Sequence, residues 1–293
     1  MKFTSKFVIL NTETGELLPL TQEVFNKVRE PSNVAVNNIA PKDKEVVAPK
    51  AKPRMTRLSR GSFIYLIVND NETFMGDTPS ADLARLTRLA LRLNWQGELP
   101  INSFDVKFLQ KELDVTQDIA YQLIRCIKSN LGKTIAEVNT KLESVFFRGS
   151  PKAFKNFGAN VRGVKLYSVP YVEAYDYDSK RSRAALGCLL KLAPYINKYS
   201  NVLCKNVDLK SIERIQPLGT GEMADILSVD IKIFKERILP EWKKMLINTN
   251  GEMCPVVKNI GGLYVVNPAL LVATKYDAPV WEYFLDKKFN KEE

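Results

Sequence analysis

Between positions 117 and 128 the chain carries Gln117, Tyr121, Gln122, Arg125 and Lys128 at intervals that share one face of a helix. Glutamine can bond the N6 and N7 edge of adenine with two hydrogen bonds. Arginine can do the same to O6 and N7 of guanine, and such a helix fits the major groove of DNA. Tyrosine and lysine suit phosphates, which fix register without reading sequence. Asp118 lies on the same outward face. The chemistry these residues suggest is recognition rather than catalysis.

Two helices must position that face. Val106, Leu109 and Leu113 form the apolar stripe of the first, Asp114-Val115 breaks it, and Thr116 can cap the second with its hydroxyl. Ala120, Leu123, Ile124 and Ile127 form the second stripe. Short helices with a three-residue break, an apolar residue in the turn and a small residue early in the second helix match a helix-turn-helix. Gln110 stands where such motifs usually have alanine, and Asp114 where they often have glycine. An ordinary α-hairpin in a core has the same pattern.

The flanking sequence completes the unit. Gly61–Asn69 reads as an apolar strand or the start of a buried helix, and Thr78-Pro79-Ser80 opens a helix to about Asn94. On that helix Arg85, Arg88 and Arg92 make a basic stripe, a solvated face or a set of phosphate contacts. Lys141–Arg148 and Val161–Ser168 read as two strands of a hairpin, joined by a loop rich in Gly, Asn, Ser and Pro. From Ser144 to Val169 there are five basic residues, Arg148, Lys152, Lys155, Arg162 and Lys165, and no acidic one, with Phe146, Phe147, Phe154 and Phe157 between them. A basic wing of this kind can follow the backbone or enter the minor groove. The phenylalanines on strands suit core packing instead.

The same order returns nearer the end of the chain. Gly221–Leu227 reads as a helix, Ser228-Val229-Asp230 as a turn, and Ile231–Leu239 as a second helix with Phe234 and Ile238 inward and Lys232, Lys235 and Glu236 outward. Ala224 stands where the motif has its alanine. Pro240 removes a donor and crowds the preceding turn, so Trp242–Ile247 is expected as a separate piece. Asn250-Gly251, the strand Cys254–Lys258, the turn Asn259–Gly262 and the strand Leu263–Val266 make a second, less basic wing. Between the units, Pro170–Tyr177 and Ser182–Tyr199 read as helices. Ala185, Leu186, Leu189, Leu190, Leu192, Ala193 and Ile196 give the second a broad apolar face, for burial or for a homodimer.

Composition narrows the function. The 293 residues include 43 Lys+Arg against 33 Asp+Glu, a formal charge of +10 that favours polyanionic partners. There is no histidine, which removes Ser-His-Asp and Cys-His catalysis and imidazole metal ligation. Cys126, Cys188, Cys204 and Cys254 form no C-x-x-C pair and read as free thiols. GTGE at Gly219–Glu222 lacks the later glycine and preceding strand of a phosphate loop. Neither a cofactor nor a metal is implied. No apolar run approaches the roughly 20 residues that cross a bilayer, and Met1–Leu10 lacks the core of a signal peptide, so a cytoplasmic location without membrane association is expected.

The expected organisation is α+β, mostly α. A β-hairpin segment (1–29, with Lys6–Leu18 turning at Thr12–Gly15) precedes a flexible basic linker (30–57). Then come a first winged helix-turn-helix unit (58–178), a helical connector with a second winged unit (179–275), and a tail (276–293). Residues 41–60 carry Lys42, Lys44, Lys50, Lys52, Arg54, Arg57 and Arg60 against Asp43 and Glu45, suited to lie along phosphates or simply to be solvated.

The run RGSFIYLIVND through SADLARLTRLALRLN, the helix-turn-helix, GVKLYSVPYVEAY, LLKLAPYINKYSNVLC and GGLYVVNPALL, about residues 55–275, resembles winged-helix proteins of phages and plasmids from low-GC Gram-positive bacteria. That resemblance implies a transcriptional regulator or a replication-associated protein. A tandem pair is also similar to plasmid replication initiators.

The function expected is a sequence-specific, double-stranded DNA-binding regulator without enzymatic activity. Gln117, Gln122 and Arg125 would read bases, and Tyr121, Lys128, Arg148, Lys152, Lys155 and Arg162 would hold phosphates, with Lys165, Arg85, Arg88, Lys232 and Lys235 as further DNA contacts. The alternatives are a replication initiator on origin repeats, and a protein that docks on RNA polymerase or a host or replication factor and binds DNA weakly. For the latter, Glu173, Asp176 and Asp178 with Tyr175 and Tyr177, and Trp281–Phe289, are candidate surfaces.

Overall fold

The computed structural model describes residues 8–10, 17–19, 60–68, 72–94, 98–99, 105–132, 134–148, 162–177, 180–249, 251–273 and 284. The chain divides into two units, Met1–Ala51 and Lys52–Glu293. In the first, β1 (Val8–Leu10) and β2 (Leu17–Pro19) pair antiparallel with Ile9 opposite Leu18. The turn expected at Thr12–Gly15, and the linker at 30–57, lie outside the described residues.

The larger unit is α+β and mostly helical, with small antiparallel sheets. In chain order it opens with β3 (Phe63–Ile67), α1 (Glu72–Asp77), α2 (Ser80–Ala90), α3 (Val106–Leu113), α4 (Gln117–Asn130) and α5 (Ile135–Val145). Then follow β4 (Phe146–Phe147), β5 (Gly163–Tyr167), α6 (Ser168–Asp176) and α7 (Lys180–Lys191). Its later part holds α8 (Thr220–Ile226), α9 (Ile231–Ile233), a π turn (Phe234–Ile238) and α10 (Leu239–Lys244). The hairpins β6 (Leu246–Thr249) with β7 (Glu252–Pro255), and β8 (Val257–Ile260) with β9 (Leu263–Val266), precede β10 (Leu271–Val272).

Several expectations change here. Lys141–Arg148 is largely helix. Thr134 Oγ1 accepts from the Glu137 amide at 3.2 Å while Glu137 Oε2 accepts from the Thr134 amide at 2.9 Å, and this reciprocal cap starts α5. Only Phe146–Phe147 is left to be strand. Nor do β4 and β5 form a hairpin, because β3 lies between them in a sheet ordered β10-β5-β3-β4. Leu66 faces Phe146 on one side and Val164 on the other. A strand whose residues 64–67 are all buried needs partners on both edges, and β3 takes them. The expected strand Cys254–Lys258 is split at Val256 between β7 and β8. The helix expected at Ser182–Tyr199 ends at Lys191 and is followed by a 3₁₀ turn, Ala193–Tyr195.

One apolar core joins both ends of this unit, from Leu66 and Leu123 through Leu186 to Trp242 and Leu271. Tyr175 on α6 and Ala185 on α7 both belong to it. Trp242 is fully buried, and its Nε1 donates to the Ala185 carbonyl at 2.7 Å, tying α10 to α7. Leu271 pairs with Leu166, so the late strand β10 closes the sheet of the early half. All four cysteines are free thiols. Among the described residues no helix is long and apolar enough to cross a membrane.

Two stretches, 105–122 and 219–236, match position by position. Asp105 and Gly219 are N-caps, Leu109 and Met223 are buried, and so are Leu113 and Leu227. Asp114 and Ser228 both adopt left-handed backbone, with φ of 49° and 53°. The amides of Val115 and Val229 then donate to the carbonyls of Gln110 and Ala224, at 3.3 and 3.0 Å. Thr116 and Asp230 are the next N-caps, followed by buried Ala120 and Phe234. The match then shifts by one residue: Leu123 is buried, Arg237 is exposed and Ile238 is buried. The π turn holds that extra residue, and the Leu239 amide bonds the Phe234 carbonyl five positions back. Pro240, with no donor, follows this widened turn, so the helix continues to Lys244 where a break was expected.

Candidate nucleic-acid interface

α3 begins at Asp105, whose Oδ1 accepts from the Phe108 amide at 2.6 Å, and ends at left-handed Asp114. Few residues other than glycine take that conformation readily, and aspartate is among them. Thr116 occupies the N-cap of α4 with extended backbone, but its hydroxyl makes no capping bond, contrary to the expectation. Ala120, Leu123 and Ile127 press α4 into the core.

The turn between these helices is held from behind by side chains the sequence did not single out for the task. Tyr175 Oη donates to the Leu113 carbonyl at 3.1 Å, and Arg183 Nη1 donates to the Asp114 carbonyl at 3.0 Å. The same guanidinium lies 3.6 Å from the Asp114 carboxylate and 4.6 Å from the centre of the Tyr175 ring. Burial lifts the Tyr175 hydroxyl above its ordinary value, against the pull of nearby Arg183, Arg85 and Arg88. A neutral phenol remains a donor for the turn. Arg92 adds a second tie, from the end of α2 to Glu112 on α3, at 2.7 Å.

With its inner stripe buried and its turn fixed, α4 presents Gln117, Asp118, Tyr121, Gln122, Arg125 and Lys128 to solvent, Tyr121 being 47% exposed. Among the described residues none of these side chains has a hydrogen-bond or ion-pair partner. Lys107 and Lys111 are exposed on α3 as well. In the later match, Lys232 and Lys235 are exposed, and Arg237 joins them because the π turn rotates it outward. An even 3.6-residue period hides that residue, and sequence reading missed it.

Most of the remaining basic residues expected on phosphates are used internally. Arg85 is 4% exposed and pairs with Asp82 at 2.5 Å. Arg88 is half-buried with its guanidinium 5.8 Å from the Tyr175 ring, so the expected arginine stripe is split three ways. Arg148 donates to the carbonyls of Leu93 and Leu91. Arg162 donates to those of Pro194, at 2.6 Å, and Ile196, and burial lowers its pKa. Lys165 is 9% exposed, its ammonium 5.8 Å from the Phe63 ring. These long side chains close carbonyls and cover rings that would otherwise lack partners. Lys152, Lys155, Phe154 and Phe157 lie outside the described residues.

The acidic surface proposed around Glu173 is also divided. Tyr175 is fully buried and Glu173 Oε2 accepts from the Asn248 amide at 2.9 Å, whereas Asp176 and Tyr177 are exposed. Asp178 and most of Trp281–Phe289 lie outside the described residues, and Phe284 is buried against Val202, Cys204 and Val265.

No family model, curated protein or solved structure matches the chain.

Proposed function

We propose that the chain is a sequence-specific, double-stranded DNA-binding regulator in which α3 and α4 act as a helix-turn-helix and α4 enters the major groove. The observation that carries this reading is the outward face of α4: two glutamines, an arginine, a tyrosine and a lysine with no internal partner, on a helix whose other face is buried. Gln117, Gln122 and Arg125 read base edges, and Tyr121 and Lys128 hold phosphates. The β3–β4–β5 sheet beside the helices is the body of a winged unit. The formal charge of +10 supplies the sequence-independent part of the attraction. No catalytic step is assigned.

The matched stretches 105–122 and 219–236 favour a second reading on the same surface, a replication initiator that engages repeated sites. Footprints on the regions flanking the gene separate the two, since an initiator protects an array of repeats.

The test is fluorescence anisotropy of the full chain with the duplex upstream of its gene and with a scrambled duplex, at low and moderate salt. Tighter binding to the upstream duplex that persists as salt rises is expected. Equal binding that collapses with salt would overturn the proposal.

A further inference from the structure

We infer that the second matched segment is itself a base-reading surface of different chemistry, with Ile231 touching a thymine methyl group. This inference rests on the reading of α4 as a recognition helix.

The correspondence between the two segments assigns the roles. Counted from the left-handed residues Asp114 and Ser228, the positions of Gln117, Asp118, Tyr121 and Gln122 are taken by Ile231, Lys232, Lys235 and Glu236. All eight are exposed. Helix entry is firmer here than in the first segment, because Asp230 Oδ1 accepts from the amides of Lys232 at 2.7 Å and Ile233 at 3.3 Å. Buried Phe234 packs edge-on to Trp242, ring centres 5.5 Å apart, and seats the helix on the core.

The chemistry of the face suits DNA. Ile231 is 44% exposed at the first helical position and offers an apolar surface to a partner. Lys232 and Lys235 share its side of the helix, and among the described residues no ion pair occupies them. Cations around an apolar residue repel a second copy of the same face and attract a polyanion. In the major groove the apolar feature is the C5 methyl of thymine, which isoleucine can cover, and Glu236 can accept from the N4 amine of cytosine. Past the π turn Pro240 stands at the place of Arg125, so reading is confined to the first two turns. Ile233, 43% exposed, lies on the flank of the helix and not on this face.

The experiment selects duplexes from a random pool with the full chain, then with Arg125→Ala and Ile231→Ser. Wild-type sites should contain two blocks of preference, one lost with Arg125→Ala and the other, rich in thymine, lost with Ile231→Ser. Replacing thymine by deoxyuridine in the second block should weaken wild-type binding roughly fourfold per covered methyl. It should leave Ile231→Ser unchanged and Ile231→Val partly sensitive. Lys232→Ala with Lys235→Ala, which touches no buried group, should lower affinity on all sequences and flatten the salt dependence. A single block that only Arg125→Ala removes, or a second block indifferent to deoxyuridine, would overturn the inference while leaving the role of α4 intact. The former result would assign the Ile231 face to a protein contact. Absence of any enriched sequence would overturn both.

Discussion

Gly187 on α7 lies so close to Ser80 on α2 that a β-carbon would stand 1.7 Å from the Ser80 carbonyl oxygen. Backbone atoms cannot yield as a flexible side chain can, so the two helices would have to separate. Gly187→Ala should destabilise the chain by about 3 kcal/mol or more. Urea unfolding checks this, and an unchanged midpoint would show that the crossing is not close.

The tie between Tyr175 and the Leu113 carbonyl gives a second expectation. Tyr175→Phe leaves that buried carbonyl without its donor and should cost ~1–3 kcal/mol. Because the bond sets the turn ahead of α4, affinity for the preferred duplex should fall more than affinity for a scrambled one. Equal losses on both duplexes would confine Tyr175 to a structural role.

Arg125 and Arg162 separate surface from scaffold. Arg125→Ala should cost ~1–3 kcal/mol on the preferred duplex and relax specificity, with the melting temperature unchanged. Arg162→Ala frees the carbonyls of Pro194 and Ile196 and should lower the melting temperature instead. Anisotropy and thermal unfolding on the two variants test the division.

Ser228 holds left-handed backbone without being glycine. Ser228→Gly should raise stability by about 1 kcal/mol and Ser228→Val should lower it by a similar amount or more. Denaturant midpoints of the pair check the sign. A loss on changing to glycine would mean that the hydroxyl, not the backbone, sets the turn.

Burial pushes the Cys204 thiol up from 9.0 to about 11. The folded chain thus holds this proton more tightly than the unfolded chain. The associated stability is fully present below about pH 9 and is lost as pH rises through about 11. Urea midpoints across that window should fall, and Cys204→Ala should fall less steeply. Parallel curves would assign the alkaline loss to other groups, such as the buried Tyr171, whose hydroxyl is also lifted by burial.

Local pattern carried much of this protein. The apolar periods at Leu109 and Leu113, and at Ala120, Leu123 and Ile127, place α3 and α4, because a helix buries every third or fourth residue whatever lies beyond it. The outward set Gln117, Tyr121, Gln122, Arg125 and Lys128 follows from the same rule. The likeness of 105–122 to 219–236 was legible as order, and the turns at Asp114 and Ser228 now give it a shared backbone.

The fate of most basic side chains was decided by tertiary structure. Arg85, Arg148, Arg162 and Lys165 have the composition of a phosphate-binding surface, yet Arg85 pairs with Asp82 one turn away on its own helix, and the other three end against a carbonyl or a ring from a distant segment. Long charged side chains follow no period, and their direction depends on which carbonyls the fold leaves unpaired. Strand pairing is equally nonlocal: β3 separates β4 from β5 because both of its buried edges need a neighbour, a demand met only when β4 and β5 arrive from later in the chain. Periodicity determined where α3 and α4 form and which face each buries, whereas long-range hydrogen bonds determined which charges remain free to meet a partner.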